Sequence, residues 1–332
     1  MLKQTLAVTA VLLAGLSGAA YAADPVSIVY IPKNTGNPYF ESLVSGFQDG
    51  CKKLGCDFSV VAPATAEATS QIPFITAQVQ RGINVIAISP NSPDALDQVF
   101  DRARKRGTLV FSVNSDMPGS EAYRDVAILP VDFTKVGDAQ VELLGSMIGY
   151  QGDIAILSAT TDAPDQNTWI GEMKTTLATN PKYAKMKLVK IAYGNDDPQK
   201  STTETEALLS SYPNLRGIIS PTTVGIAAAA QVVETAHKVA TVKVTGLGTP
   251  DQMRRFVQDG TVTAFQLWSP YNEGLLASYY AVGVKSGKIE NKPGTTFEVP
   301  GLGTVTVGAN SVINTQADLT TFDKSNIEQF HF

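Results

Sequence analysis

From residue 26 onward, short runs rich in Val and Ile alternate with segments whose apolar positions recur at helical spacing, the pattern of βαβ units wound around a parallel sheet. Ser27 to Ile31, Phe58 to Val61, Val85 to Ser89 and Leu109 to Val113 lack strict in–out alternation and read as buried strands. After the first, Asn37 and Pro38 form an N-cap and N1 pair. Phe40, Leu43, Val44, Phe47, Cys51 and Leu54 then follow at helical spacing until Gly55 stops the helix. Ser92-Pro93-Asp94 repeats that opening, with Leu96, Val99, Phe100 and Ala103 directed at the sheet and Gly107 as the stop.

A second series begins near residue 152. Ile154 to Leu157, Leu188 to Ala192, Gly217 to Ser220, Val242 to Leu247 and Ala264 to Leu267 are its strands, with helices around 166–178, 199–211, 224–238 and 250–258 between them. The first strand of each half runs into a polar loop containing proline, Lys33 to Pro38 and Thr160 to Asn167. The expected fold class is therefore α/β, with two doubly wound parallel-sheet lobes. The helix from Tyr271 to about Val284 is expected to return to the first lobe, which gives lobes of 23–131 plus 271–288 and of 132–270 plus 289–332.

Composition narrows the function. A chain of 332 residues is long enough for roughly two domains. With 43% hydrophobic and 17% charged residues, it has the material for a packed core and no excess charge to hold it open. A net charge of −5 has the wrong sign for neutralising phosphates, which excludes nucleic acid as a partner. Only His237, His331, Cys51 and Cys56 are available as His or Cys ligands, too few for a zinc or iron–sulfur cluster, and no cofactor is expected. The N-terminus reads as a signal peptide: a cationic start through Lys3, an apolar run from Leu6 to Leu16, and the small-x-small triplet Ala20-Tyr21-Ala22. Cleavage is expected after Ala22, leaving an exported, periplasmic chain. The apolar run, about 11 residues, is short of the roughly 20 that span a bilayer. Cys51 and Cys56 bracket a helix end; they read either as a short disulfide in an oxidising compartment or, for Cys51, as part of the apolar stripe.

Ligands of open parallel sheets bind beyond the carboxyl ends of the strands. The loops there carry Lys33, Asn34, Asn37, Tyr39, Asn91, Asn114 and Asp116 in the first half, and Asp165, Gln166, Asn167, Thr222, Thr223, Trp268 and Asn272 in the second. Carboxylates and carboxamides exchange paired hydrogen bonds with hydroxyls, while aromatic rings cover the C–H faces of a sugar. Each residue also has a plainer reading. Lys33 fits an interlobe ion pair, Asp165, Gln166 and Thr223 fit helix capping, Asn114 and Asp116 fit turns, and Trp169 fits a core position. Phe40 belongs to the apolar stripe of its helix, whereas Tyr39 lies off it and is directed at the cleft. An enzyme is disfavoured, because neither His lies near a strand's carboxyl end and no Gly-x-Ser-x-Gly, P-loop or Gly-x-Gly-x-x-Gly motif follows a strand.

The stretches Ile31-Pro32-Lys33, Ser92-Pro93-Asp94-Ala95-Leu96, Asp165-Gln166-Asn167-Thr168-Trp169, Gly260-Thr261-Val262 and Leu267-Trp268, ending with Asn326-Ile327-Glu328, resemble the periplasmic sugar-binding proteins of ABC importers. Within that ribose-binding family they are most similar to the autoinducer-2 and rhamnose receptors. The resemblance implies two lobes of the type I periplasmic-binding fold, a hinge of three crossings and a ligand enclosed between the lobes. It implies ligand contacts at Lys33, Asn114, Asp165, Gln166, Pro221 and Thr223. Asn114 stands where the autoinducer-2 receptors carry Asp, and Thr223 where they carry Ala, which changes the hydrogen-bond demand of the pocket. The implied function is capture of a small polyhydroxylated ligand (monosaccharide, deoxysugar, sugar alcohol or autoinducer-2-like) by a monomer that delivers it to an ABC permease. A receptor feeding a sensor kinase or chemoreceptor is the alternative, and a secreted hydrolase the third.

Overall fold

The computed structural model describes residues 24–315 and 319–332, so the expected signal peptide, 1–22, lies outside the described residues. The chain begins with β1 (Ser27–Ile31), α1 (Pro38–Leu54), β2 (Asp57–Val60), α2 (Ile72–Gln80), β3 (Val85–Ile88), α3 (Asp97–Lys105), β4 (Leu109–Val113) and β5 (Val126–Leu129). It continues through α4 (Val136–Ile148), β6 (Gln151–Ser158), α5 (Pro164–Thr179), β7 (Lys185–Tyr193), α6 (Pro198–Ser211), β8 (Leu215–Ser220), α7 (Thr223–Thr235), β9 (Lys243–Gly246), α8 (Pro250–Gln258) and β10 (Ala264–Leu267). It ends with α9 (Pro270–Lys285), β11 (Thr296–Val299), β12 (Gly303–Thr306), β13 (Val312–Asn314) and β14 (Thr320–Asp323).

Two parallel sheets organise these elements. The first has the order β13-β5-β4-β3-β1-β2 and the second β7-β6-β8-β9, with β10 and β14 forming an antiparallel pair beside it through a Leu247–Gln266 bridge. Alternate residues of β1 enter different cores. Ile28 and Tyr30 pack with α1 residues such as Phe47, whereas Val29 and Ile31 join Ile75 of α2 and Phe100 of α3 on the opposite face. Burial on both faces is the reason these strands show no polar alternation. The strand expected over 58–61 is different: β2 is the sheet edge, and its residues are mostly exposed, Val60 at 40%.

The first helix forms as its sequence dictates. Asn37 accepts the Tyr39 amide at 3.1 Å, Pro38 occupies the first turn, and Gly55 ends the helix at φ 70°. Cys51 and Cys56 are joined by a disulfide across that end. The opening expected at Ser92 does not start a helix: the Ser92 hydroxyl accepts the Ala95 amide in a local turn, and α3 begins only at Asp97. Leu96, Val99, Phe100 and Ala103 are nevertheless all buried against the sheet.

The chain passes from the first sheet to the second between β5 and β6 and returns between β10 and α9. It crosses again between β13 and β14. The helix expected to return does so, and α9 packs along α1 at very short range. A Cβ on Gly46 would come within 2.0 Å of the Tyr271 carbonyl oxygen, and one on Gly274 within 2.0 Å of that of Leu43. The expected placement of all of 289–332 in the second lobe is corrected for β13, which pairs in parallel with β5 at the edge of the first sheet.

Candidate functional site

The carboxyl ends of both sheets face a common cleft, and the loops following the strands line it. From the first half come Lys33 after β1, Asn37, Tyr39 and Phe40 at the start of α1, and Asn114 after β4. From the second come Asp165, Gln166 and Trp169 in the opening turns of α5, Asp196 after β7, and Pro221, Thr222 and Thr223 after β8. Leu247 after β9, Leu267 at the end of β10 and Trp268 just past it complete the wall. Together they enclose a cavity of about 30 Å³.

Polar contacts cross the cleft between the halves. Lys33 Nζ donates to Asp165 Oδ1 at 2.5 Å and to Gln166 Oε1 at 3.2 Å, with both charged side chains almost fully buried. The Thr223 hydroxyl donates to Asn37 Oδ1 at 2.9 Å, so one carboxamide oxygen both caps α1 and reaches the facing lobe. Asn34 Nδ2 donates to the Asp196 carbonyl at 3.2 Å. Asp165 lies in the first turn of α5, where free amides and the helix dipole favour a carboxylate.

One wall of the cleft is aromatic. The Tyr39 and Trp268 rings meet edge to face at 6.3 Å, Trp268 meets Trp169 at 5.8 Å, and Trp169 meets Phe133 at 5.0 Å. The Trp268 indole donates to the Tyr39 hydroxyl at 2.7 Å, and that hydroxyl donates to Glu273 Oε2 at 2.8 Å. Burial pushes Glu273 well above the usual carboxylate range; the charge of Asp165 adds to this and the Tyr39 hydrogen bond opposes it. Burial also raises Asp196, against the pull of the Lys33 charge and of the Thr222 hydroxyl, which donates to its carboxylate.

Of the residues expected to meet a ligand, Lys33, Tyr39, Asn114, Asp165, Gln166, Trp169, Pro221, Thr223 and Trp268 converge on this cavity. Asn34, Asn91, Asp116 and Asn272 do not line it. Asn34 ties the lobes together, as above. Asn91 Nδ2 donates to the Lys33 carbonyl at 2.9 Å, while its own amide donates to Gln71 Oε1, so it shapes the loop that presents Lys33. Asp116 is taken up by Arg124, whose guanidinium donates to both carboxylate oxygens at 2.5 and 2.7 Å. Asn272 is half-buried on α9, away from the cavity. Asp196 was missed because Asn195-Asp196-Asp197 reads as a turn, and Asn195 and Asp196 indeed have positive φ. Its place directly after a strand was the available signal.

Comparison with known proteins adds a second line. A family profile described as periplasmic binding protein domain matches residues 28–289. A sugar ABC transporter structure from Actinomyces odontolyticus is 39% identical, with a TM-score of 0.72 over 92% of this chain and 97% of that one. An ABC transporter solute-binding protein from Clostridium phytofermentas, with bound L-rhamnose, is 31% identical, with a TM-score of 0.86 over 92% and 98% of the two chains. LsrB from Clostridium saccharobutylicum, in complex with AI-2, is 25% identical, with a TM-score of 0.86 over 92% and 100%.

Proposed function

We propose that this chain, which belongs to the periplasmic binding protein family, captures a small polyhydroxylated ligand in its interlobe cleft and delivers it to an ABC permease. The observation that carries this reading is the buried pairing of Lys33 with Asp165 and Gln166 across the cleft, next to a wall of aromatic rings. Charged and amide groups that now bond each other are the donors and acceptors a hydroxyl-rich ligand requires, and the rings suit its C–H faces. Ligand binding requires these groups to exchange their mutual bonds for bonds to the ligand. Only the closed form makes contacts from both halves, and a bridging ligand therefore favours closure. Binding at ~1 μM corresponds to about −8 kcal/mol, within reach of a few charge-assisted hydrogen bonds in a water-free site.

The neighbour carrying L-rhamnose and the one carrying AI-2 make deoxysugars and related polyols the first ligands to try. The protein acts as an exported monomer, cleaved after Ala22, and binds without performing chemistry on its ligand. The test is thermal unfolding of residues 23–332, freed of bound solutes by unfolding and refolding, with L-rhamnose, D-arabinose, D-allose and AI-2. Saturation at 1,000 times Kd adds about 4 kcal/mol, a shift of several degrees. Lys33→Ala is expected to abolish the shift. No shift with any of the four, in refolded protein, overturns the sugar reading.

A further inference from the structure

We propose that Glu273, which does not itself line the cleft, is the positioning residue of the aromatic wall: it fixes the Tyr39 hydroxyl and, through it, the Trp268 indole in the orientation that receives a ligand. The inference rests on the cleft being the ligand site. Its first observation is direction. An indole nitrogen can only donate, so the Tyr39 oxygen must accept from Trp268. The single phenol proton then has to go elsewhere, and Glu273 Oε2 receives it at 2.8 Å. In this arrangement the hydrogen bonds run from Trp268 to Tyr39 to Glu273, with a Glu273 oxygen as the acceptor at the end.

The second observation is cost. Glu273 is 0% exposed, and its other oxygen, Oε1, has no hydrogen-bond partner among the described residues. An apolar side chain of similar volume would fill this position on α9 at lower cost, because a buried acid with an unsatisfied oxygen loses solvation without full return. What the acid supplies, and an apolar residue cannot, is the acceptor for Tyr39.

The third observation is placement. Tyr39 begins α1, Trp268 ends β10, and Glu273 lies in the first turn of α9, just past the point where the chain returns from the second sheet to the first. The close seating of α1 on α9 at Gly46 and Gly274 sets the Tyr39–Glu273 distance, since neither backbone can shift without breaking that contact. The relay therefore ties the ring at the end of β10 to the helix pair of α1 and α9. Trp169 leans on Trp268, so its orientation follows.

The chain's two tryptophans, Trp169 and Trp268, both stand in this wall, so intrinsic emission reads its arrangement without any ligand. The experiment compares emission maximum, acrylamide quenching and L-rhamnose affinity in the native protein, Tyr39→Phe, Glu273→Ala, Glu273→Gln and the Tyr39→Phe/Glu273→Ala double variant. Tyr39→Phe and Glu273→Ala should each shift the emission and weaken binding by about tenfold. Glu273→Gln keeps an acceptor oxygen and should recover the native emission and most of the affinity. The double variant should be no weaker than Tyr39→Phe alone, because both changes break one chain of bonds. Additive losses, a Glu273→Gln as impaired as Glu273→Ala, or unaltered emission in all variants would overturn the proposal. Should Glu273→Ala fail to fold, Tyr39→Phe and Glu273→Gln decide the question by themselves. Emission changes of the expected kind in a protein that binds no L-rhamnose would uphold the positioning role and count against the deoxysugar reading alone.

Discussion

Lys33 and Asp165 stand 132 residues apart in sequence and 2.5 Å apart in space, and the contact between them joins the two halves of the chain. Glu273, on the same side of the molecule, shows how burial turns a single acid into a pH-dependent load. Its carboxyl is raised well above the ordinary value, first by loss of solvent and then by the Asp165 charge. Below the ordinary carboxylate range both folded and unfolded chains hold the proton. As pH rises toward the raised folded value, the unfolded chain releases its proton while the folded chain retains it, so stability falls. Glu273→Gln removes that loss. The melting temperature of the variant relative to the native protein should therefore rise as pH increases upward from the ordinary carboxylate range, and a constant difference would contradict the raised carboxyl. At this scale the sequence was legible where chemistry and position agreed. Lys33, Asp165, Gln166 and Trp268 are polar or aromatic residues directly after strands or at helix starts, and they converge. Asn91 and Asp116 had the same credentials, yet they serve loop backbone and Arg124, because a carboxamide or carboxylate in such a loop is equally suited to a protein partner. Glu273 was read only as a residue within a helix. Its role depends on a tyrosine 234 positions away.

The contact of α1 with α9 is where two elements depend on the smallest side chains. Gly46 and Gly50 face Tyr271 and Ser278, and Gly274 faces Leu43, so each helix supplies the gap the other enters. Gly274→Ala sets two effects against each other. Alanine favours the helix by about 1 kcal/mol, but its Cβ would meet backbone atoms at 2.0 and 2.8 Å, and forced overpacking costs about 3 kcal/mol where backbone cannot yield. Packing wins. Urea unfolding should show a net loss of about 2 kcal/mol, and a stabilised variant would mean the helices can separate. Among elements, those with strong periodicity and caps were legible: α1 starts and stops where Asn37, Pro38 and Gly55 predict. The helix α2 escaped notice because it begins at Gln71 without a side-chain cap and only Ile75 and Gln78 are buried along it. Strands β11 to β14 are three or four residues long, too short for alternation to stand out.

At the scale of the molecule, the wiring decides cooperativity. The first sheet holds strands from both ends of the chain, β1 and β13, and the second pairs with β14 through β10, so each lobe is built from separated segments. Neither is a contiguous unit that could unfold and leave the other closed upon itself. Urea unfolding followed by tryptophan emission, which reads the cleft, and by far-ultraviolet circular dichroism, which reads all helices, should give coincident single transitions. Separate midpoints would show that the lobes unfold independently. The paired sheets were foreseeable from the alternation of strand and helix, and a third crossing was expected after residue 288, but its place beyond β13 was not foreseen. Residues 289–332 carry no long periodic element, and only the pairing of β13 with β5 reveals which sheet they complete.

That late strand has a consequence for how the protein is made. Domains at the start of a chain ordinarily fold while the remainder is still being synthesised. Here the β5 edge receives its partner only from residues 312–314, far along the chain from β5 itself. An emerging chain therefore carries an unfinished first lobe, with an open sheet edge, until β13 has been made. A polypeptide in that condition stays open to extension for longer than one whose first lobe closes early.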